Sequence, residues 1–182
     1  MASLYFILSL FVAGSLAATF NDCGGSSARL KSVTLSPSPL LLKTGKKIDF
    51  SYDIEVLKPF PQAIDVVLTL KRKILWGYVG GVCTILDKAI PDDAGVKGSI
   101  CQQHLTCDML QKLQDQANQA TKYPCPMPVG TYTKKLSVTL PTFDAGTLGS
   151  VLGGGTYQIE IEMKRGSELL ACAKISDLTV EL

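Results

Sequence analysis

The residues best suited to chemistry lie in one short run, Cys101-Gln-Gln-His104-Leu-Thr-Cys107-Asp108. His104 is the one histidine in the 182-residue chain, and a cysteine stands close to it on each side. Thiolates and imidazole at such short spacing are typical zinc ligands. Cysteines that bind a structural metal belong to a reducing compartment, however, and residues 1–17 indicate export into an oxidising one. We therefore expect no metal site.

The same run is similar to the segment around the catalytic histidine of calcium-dependent secreted phospholipases. That chemistry also needs a cysteine doublet before the histidine and a glycine-rich calcium loop. Here Cys101 follows Ile100, and Gly80-Gly81 lacks an adjacent calcium-loop pattern. Serine nucleophile elbows and phosphate loops are missing as well. We predict that the chain is not an enzyme, uses no cofactor, and carries His104 as a polar residue in the first turn of a helix.

The N-terminus has the form of a signal peptide. Residues 4–12 are apolar except for Ser9, small residues follow, and Ser15-Leu16-Ala17 fits a cleavage site after Ala17. The apolar run is shorter than the about 20 residues that span a bilayer. We predict a signal peptide over residues 1–17, a single domain over residues 18–182, and a secreted or lysosomal location.

Composition limits the classes of binding partner and indicates how the cysteines are used. The formal net charge is +2, too small and too dispersed to indicate nucleic-acid binding. All six cysteines lie in the mature part, an even number that predicts three disulfides without fixing their connectivity. The cysteines are Cys23, Cys83, Cys101, Cys107, Cys125 and Cys172.

Most of the chain alternates between apolar and polar residues, the pattern of strands with one buried face. Arg165-Gly166-Ser167 separates two such runs and predicts a β-hairpin. The predicted strands cover residues 48–56, 64–71, 135–140, 157–164 and 169–175, with weaker ones at 30–35, 74–79 and 178–182. Strands joined by turns, with little helix between them, favour an all-β antiparallel cup or sandwich.

One segment departs from this pattern. Leu105, Met109, Leu113, Ala117 and Ala120 recur at helical spacing, and Pro124 ends the run. With Cys101, Cys107 and Cys125 around it, the segment predicts one disulfide-clamped amphipathic helix packed on the sheet.

Three loops carry apolar residues where polar ones would be usual. They contain Phe60 between two prolines, Trp76 beside Leu75, and the pair Val151-Leu152 in a glycine-rich stretch. Single apolar side chains in loops often fold back onto the core. Three such loops together favour an apolar rim, which marks a ligand mouth or a membrane-contact site.

Several segments in order along the mature chain resemble the lysosomal ganglioside activators, the lipid-presenting partners of β-hexosaminidase A in the wider ML lipid-recognition family. The resemblance lies in Phe20-Asn-Asp-Cys23, Leu75-Trp76, Gly98-Ser-Ile-Cys101, His104-Leu-Thr-Cys107-Asp108-Met-Leu110, Gly130-Thr-Tyr132, Gly155-Thr-Tyr-Gln-Ile-Glu160 and Leu169-Leu-Ala-Cys172.

The resemblance implies a disulfide pairing and a cavity. The pairs would be Cys23–Cys172, Cys83–Cys101 and Cys107–Cys125. The fold would be a β-cup, an antiparallel sandwich opened to enclose an apolar cavity for acyl chains. Its rim loops would fall on residues 59–63 and 148–152. A fourth disulfide and a rim tryptophan of the family are missing here, with Val151-Leu152 in place of the latter.

On this basis we predict a lipid-binding and transfer protein that extracts a glycolipid or phospholipid during transient, peripheral contact with a membrane. A glycosidase is the enzyme partner that the resemblance implies, in sphingolipid metabolism. A lipid-recognition module of signalling or innate immunity is the alternative, and a secreted phospholipase ranks behind it. The predicted rim residues are Phe60, Trp76, Val151 and Leu152. The predicted cavity residues are Ile54, Val66, Leu68, Val138, Ile159, Ile161 and Met163.

Overall fold

The computed structural model describes residues 18–41, 43, 45–89, 99, 101–116, 123–139 and 153–181. The predicted signal peptide and the pair Val151-Leu152 lie outside these residues. The strands are β1 Thr19–Gly24, β2 Ala28–Ser36, β3 Leu40–Leu41, β4 Lys47–Val56, β5 Ala63–Ile74, β6 Gly77–Val79, β7 Gln102–Thr106, β8 Gly130–Thr139, β9 Gly155–Arg165 and β10 Glu168–Glu181. The helices are α1 Val82–Ala89 and α2 Cys107–Gln116.

The strands form two sheets, which confirms the predicted all-β fold class. A 7-stranded sheet runs β1-β10-β9-β5-β6, with β3 beside β10 and β7 beside β5. A 3-stranded sheet runs β2-β4-β8. All described pairings are antiparallel except that of β3 with β10. Alternation in the sequence therefore predicted the longer strands well, because each buries one face against the opposite sheet.

The hairpin of β9 and β10 is the longest-paired part of the large sheet. Gly166 has φ +59°, a left-handed conformation that glycine adopts without steric cost, so the chain reverses there as predicted. The predicted strands at residues 169–175 and 178–182 are one strand, β10, with a register shift between Ile175 and Leu178. Asp177 lies in that irregularity with φ +56°.

The predicted helix begins later than helical spacing suggested. His104 and Leu105 belong to strand β7, where they pair with Asp65 and Ile64 of β5. The hydroxyl of Thr106 accepts a hydrogen bond from the Met109 N–H (3.3 Å), so Thr106 caps α2. The prediction that His104 lies in a helical turn is therefore wrong, because pairing with β5 and the cap fix the boundary.

Three disulfides join the same cysteines that the family resemblance paired: Cys23 with Cys172, Cys83 with Cys101, and Cys107 with Cys125. The first joins β1 to β10 in the large sheet. The other two each hold one helix, so the structure has a second clamped helix, α1, that the sequence patterns did not predict.

The apolar interior consists of two clusters at opposite ends of the sandwich. The closed-end core is Val82, Tyr157, Ile175, Leu178 and Val180. The cavity-end core is Ala28, Ile54, Val56, Phe60, Ile64, Leu170 and Ala171. Next to the cavity-end core, side chains of the two sheets leave a space between them.

Candidate ligand cavity

A cavity of about 440 Å³ lies between the two sheets. Strand β4 contributes Phe50, Tyr52 and Ile54 from its inner face, and β9 contributes Ile161 and Met163. These strands place apolar side chains on the same face at every second residue, so the sheet geometry itself produces an apolar wall. The volume falls in the range of small-molecule sites, about 300–1,000 Å³.

Loops and the second helix complete the wall at one end. The residues that they contribute are Phe60, Pro61, Gln62, Leu110, Tyr123, Pro124, Cys125 and Met127. The Phe60 N–H donates a hydrogen bond to the Met127 carbonyl (3.0 Å), and the Cys107 N–H donates one to the Gln62 carbonyl (2.8 Å). The Cys107–Cys125 disulfide and these two bonds fix this end of the cavity.

Of the predicted cavity residues, Ile54, Val66, Ile161 and Met163 line the space. Leu68 and Ile159 do not: Ile159 packs against the closed-end core instead. Both share a face with the lining residues: Leu68 pairs with the lining residue Ile161, and Ile159 pairs with Leu70 beside the closed-end core. The backbone of Val138 lies in β8 opposite Ile48, and its side chain is outside the described residues.

Aromatic residues and one lysine stand at the β8 side of the cavity. The Tyr123 and Tyr132 rings meet edge to face with centroids 5.4 Å apart, and the Lys134 amine lies 4.5 Å from the Tyr123 ring centroid. Burial raises the pKa of Tyr52 and of Tyr123, and it lowers the pKa of Lys134. Phenols with raised pKa values stay protonated at neutral pH, so they supply polar contacts rather than nucleophiles.

His104 lies outside the cavity. Its Nδ1 is 2.8 Å from an Asp65 carboxylate oxygen, and both side chains are exposed on the outer face of the large sheet. Cys101 and Cys107 are each bound in a disulfide, so neither can bind zinc as a thiolate. Within the described ranges, metal-binding side chains form no group of three or more.

Comparison with known proteins finds a relative by sequence. No family model matches the chain. The ganglioside GM2 activator of Macaca fascicularis is 26% identical over 167 residues, covering 85% of this chain and 78% of that protein. The resemblance to the ganglioside activators is confirmed.

Likeness to solved structures is weaker. A Niemann-Pick type C2 protein from the Japanese carpenter ant shares 15% identity with a TM-score of 0.43, over 90% of this chain and 99% of that one. The C-terminal domain of wzt shares 10% with a TM-score of 0.37, over 91% and 78%. Neither likeness is close enough to bear on function.

Phe60 and Trp76, both predicted at the rim of the cavity, lie in different places. Phe60 is 9% exposed and lines the cavity, whereas Trp76 is 93% exposed and does not. Strand β5 has 12 residues and spans roughly 35 Å at about 3.3 Å per residue. Its first residues border the cavity, so the turn that carries Trp76 is at the far end of the strand. The presence of an apolar residue in a predicted loop does not show whether its side chain lines the cavity or faces solvent.

Replacing His104 with Gln should leave lipid transfer between vesicles unchanged, because the ring faces solvent away from the cavity. The variant loses the contact with Asp65, but a surface pair of this kind contributes only about 0–1 kcal/mol to the free energy of unfolding. A fluorescent-lipid transfer assay and a urea unfolding curve measure the two quantities. Calcium-dependent release of fatty acid by the wild type that vanishes in the variant would restore the phospholipase alternative.

Proposed function

We propose that this chain is a lipid-binding protein that takes the acyl tail of a glycolipid or phospholipid into its cavity and presents the headgroup to a hydrolase. The observation that carries the proposal is the apolar cavity of about 440 Å³ between the two sheets. Each CH₂ group moved from water into such a space contributes about 0.8 kcal/mol, so an acyl tail binds there favourably. The sequence likeness to a ganglioside GM2 activator supports the same function.

On this proposal the chain is a carrier and not an enzyme. It would work in an oxidising compartment, outside the cell or in the lysosomal lumen, where its three disulfides persist. The domain that does so would be residues 18–182, after removal of the signal peptide. Within the described ranges, neither helix is both long enough and apolar enough to cross a bilayer.

The turn between β5 and β6 lies away from the cavity, and it would anchor the protein transiently on the membrane without forming the mouth of the cavity. Leu75 is 94% exposed and Trp76 is 93% exposed, with half-exposed Ile74 and Val79 beside them. Tryptophan is well suited to the boundary between headgroups and acyl chains. Such an exposed apolar tip has no packing role in the fold, so its exposure supports contact with an apolar partner.

Hydrogen bonds below the tip hold this turn in place. The Lys73 amine lies 2.6 Å from an Asp177 carboxylate oxygen, to which the Tyr78 hydroxyl also donates a hydrogen bond (2.9 Å). The Asp177 N–H in turn donates to the Tyr78 hydroxyl (3.0 Å). Bonds from Lys73 and Tyr78 lower the pKa of Asp177. The turn is therefore tied to β10 by groups other than the apolar residues at its tip.

Replacing Leu75 and Trp76 together with Ser should weaken binding to phospholipid vesicles by at least about tenfold, because burying one large apolar side chain is worth about 1.5–3 kcal/mol. The free energy of unfolding should change by less than about 0.5 kcal/mol per residue, since exposed side chains contribute little. Vesicle co-sedimentation and urea unfolding measure both effects.

The double replacement of Val151 and Leu152 with Ser tests the other predicted rim loop in the same assay. We expect slower lipid extraction and weaker vesicle binding, with little change in stability. If that pair alone lowers vesicle binding, the glycine-rich loop makes the membrane contact and the Leu75-Trp76 turn does not. Early unfolding with normal transfer per folded molecule would assign the residues to the core.

Extraction of a fluorescent phospholipid from vesicles tests the function as a whole. The wild-type protein should remove lipid in proportion to its concentration and hold it in a complex that survives gel filtration. A protein that removes no lipid from vesicles of any composition tested would contradict the proposal.

A further inference from the structure

The hairpin of β5 and β6 projects beyond its neighbour in the large sheet. Pairing of β5 with β9 ends at Arg72, opposite Tyr157. Beyond that point β5 pairs with β6, which has only 3 residues. A two-stranded hairpin is marginally stable by itself in water. The turn that carries the exposed Leu75 and Trp76 therefore needs support from a group outside the hairpin.

That support comes from Asp177, on the far side of β9. Strand β9 lies between β10 and β5 in the sheet. The Asp177 carboxylate nevertheless lies 2.6 Å from the Lys73 amine and accepts a hydrogen bond from the Tyr78 hydroxyl (2.9 Å). The same hydroxyl accepts one from the Asp177 N–H (3.0 Å). These three residues, which we call the strap, join the hairpin to β10 across the outer face of β9.

An irregularity in β10 brings Asp177 to this position. Pairing with β9 shifts register between Ile175 and Leu178, and Asp177 has φ +56° there. This left-handed conformation is uncommon for a residue with a side chain, and such backbone strain is found preferentially at functional sites. Opposite the irregularity, Gln158 of β9 is 8% exposed and donates a hydrogen bond to the Ser176 hydroxyl (3.1 Å). Strand pairing alone requires neither feature, so we sought a role for the strap outside the sheet.

We propose that Asp177 is a positioning residue for membrane contact, and that the strap holds the Leu75-Trp76 turn ready to enter a lipid surface at neutral and at acidic pH. This inference rests on the proposed contact of the turn with membranes, and it names a group outside the turn on which that contact depends. The physical reason is preorganisation. A turn that is already ordered loses less conformational entropy when it binds.

Mild acid should leave the strap intact. The charged or titratable groups that face the Asp177 carboxylate are Lys73 from β5 and Tyr78 from β6, and their hydrogen bonds lower its pKa. Strand β9 presents Gln158 there and β1 presents Thr19, and both are neutral. Stabilisation by a carboxylate with a lowered pKa is fully present above the ordinary aspartate value of about 3.9 and is lost as the pH falls through the lowered value.

Fluorescence of Trp76 reports on the turn directly, because it is the one tryptophan in the chain. Asp177→Gly removes the carboxylate at a backbone conformation that glycine adopts without cost. We expect this variant to lower the anisotropy of Trp76 and to weaken binding to phosphatidylcholine vesicles about fivefold, the entropy of ordering one side chain on binding. In the wild type, the anisotropy at neutral pH should persist at about pH 4.5.

Two further variants complete the test. Glu162→Gln is the matched control, because it breaks the ion pair of Glu162 with Lys164 (2.8 Å) on the same outer face and leaves the strap intact. It should keep wild-type anisotropy and vesicle binding. Tyr78→Phe removes the hydroxyl from the strap and should weaken binding, but it should add little to Asp177→Gly, in which the strap is already broken.

The possible outcomes separate this inference from the proposed function. Unchanged vesicle binding by Asp177→Gly would overturn the inference, and a lower urea midpoint in that case would make the strap structural only. Weaker binding with unchanged anisotropy would show that Asp177 does not act by positioning the turn. A wild-type anisotropy that falls in mild acid to the Asp177→Gly value would show that the strap opens there. A wild type that binds no vesicles, or that binds equally well after Leu75 and Trp76 are replaced with Ser, contradicts the proposed contact itself.

Discussion

Replacing Cys23 and Cys172 together with Ala should lower the free energy of unfolding by about 4–5 kcal/mol, the largest stability effect expected of any change considered for this chain. The two cysteines are 149 residues apart, so their bond restricts the unfolded chain over most of its length. It also joins β1 to β10 in the large sheet. Urea unfolding of wild type and variant under non-reducing conditions measures the difference.

The two shorter disulfides are the matched controls. Each closes a separation of 18 residues, for which the same chain-entropy relation gives about 3 kcal/mol. Removing Cys83 and Cys101, or Cys107 and Cys125, should therefore destabilise less than removing the long bond. An equal or smaller loss for Cys23 and Cys172 would show that the bond acts on native packing rather than on the unfolded chain.

Replacing Ala173 with Phe should reduce lipid binding roughly 50-fold with little loss of stability. Ala173 lines the cavity, so a larger side chain there enters empty space. If the ring displaces about three CH₂ groups of a bound tail, the loss is about 2.4 kcal/mol at about 0.8 kcal/mol each. Titration with a fluorescent fatty acid and urea unfolding measure the two effects.

Ala28→Phe is the matched control for this substitution. Ala28 is fully buried in the cavity-end core and does not line the cavity. The same enlargement should therefore overpack the core and lower the free energy of unfolding by about 1–3 kcal/mol or more. If Ala173→Phe destabilises as much as Ala28→Phe and leaves lipid binding unchanged, the space beside Ala173 is not the binding site.

The strands were the most predictable part of the fold. Alternation along residues 48–56 and 157–164 reflects one buried face per strand, which is a local consequence of the β geometry. The helix boundary was less predictable, because Leu105 fits both helical spacing and the inner face of β7. Thr106, a good N-cap, was the local signal that could have located the start of α2.

The candidate site was predictable only in part. Ile161 and Met163 line the cavity because the inward face of a strand follows directly from its alternation. Leu68 does not line the cavity although its strand partner Ile161 does, because alternation gives the face on which a residue lies but not whether its side chain borders a cavity. Lys134 was missed although it continues the inward row of Leu136, so extending that alternation two residues upstream would have revealed a charge on the inner face.

Mass spectrometry of protein that has been incubated with vesicles, re-isolated and then denatured tests the central claim most directly. A carrier with an apolar cavity should release a stoichiometric amount of intact lipid, and the Ala173→Phe protein should release much less. Protein that returns free of lipid would contradict the account, and so would protein that releases hydrolysed lipid.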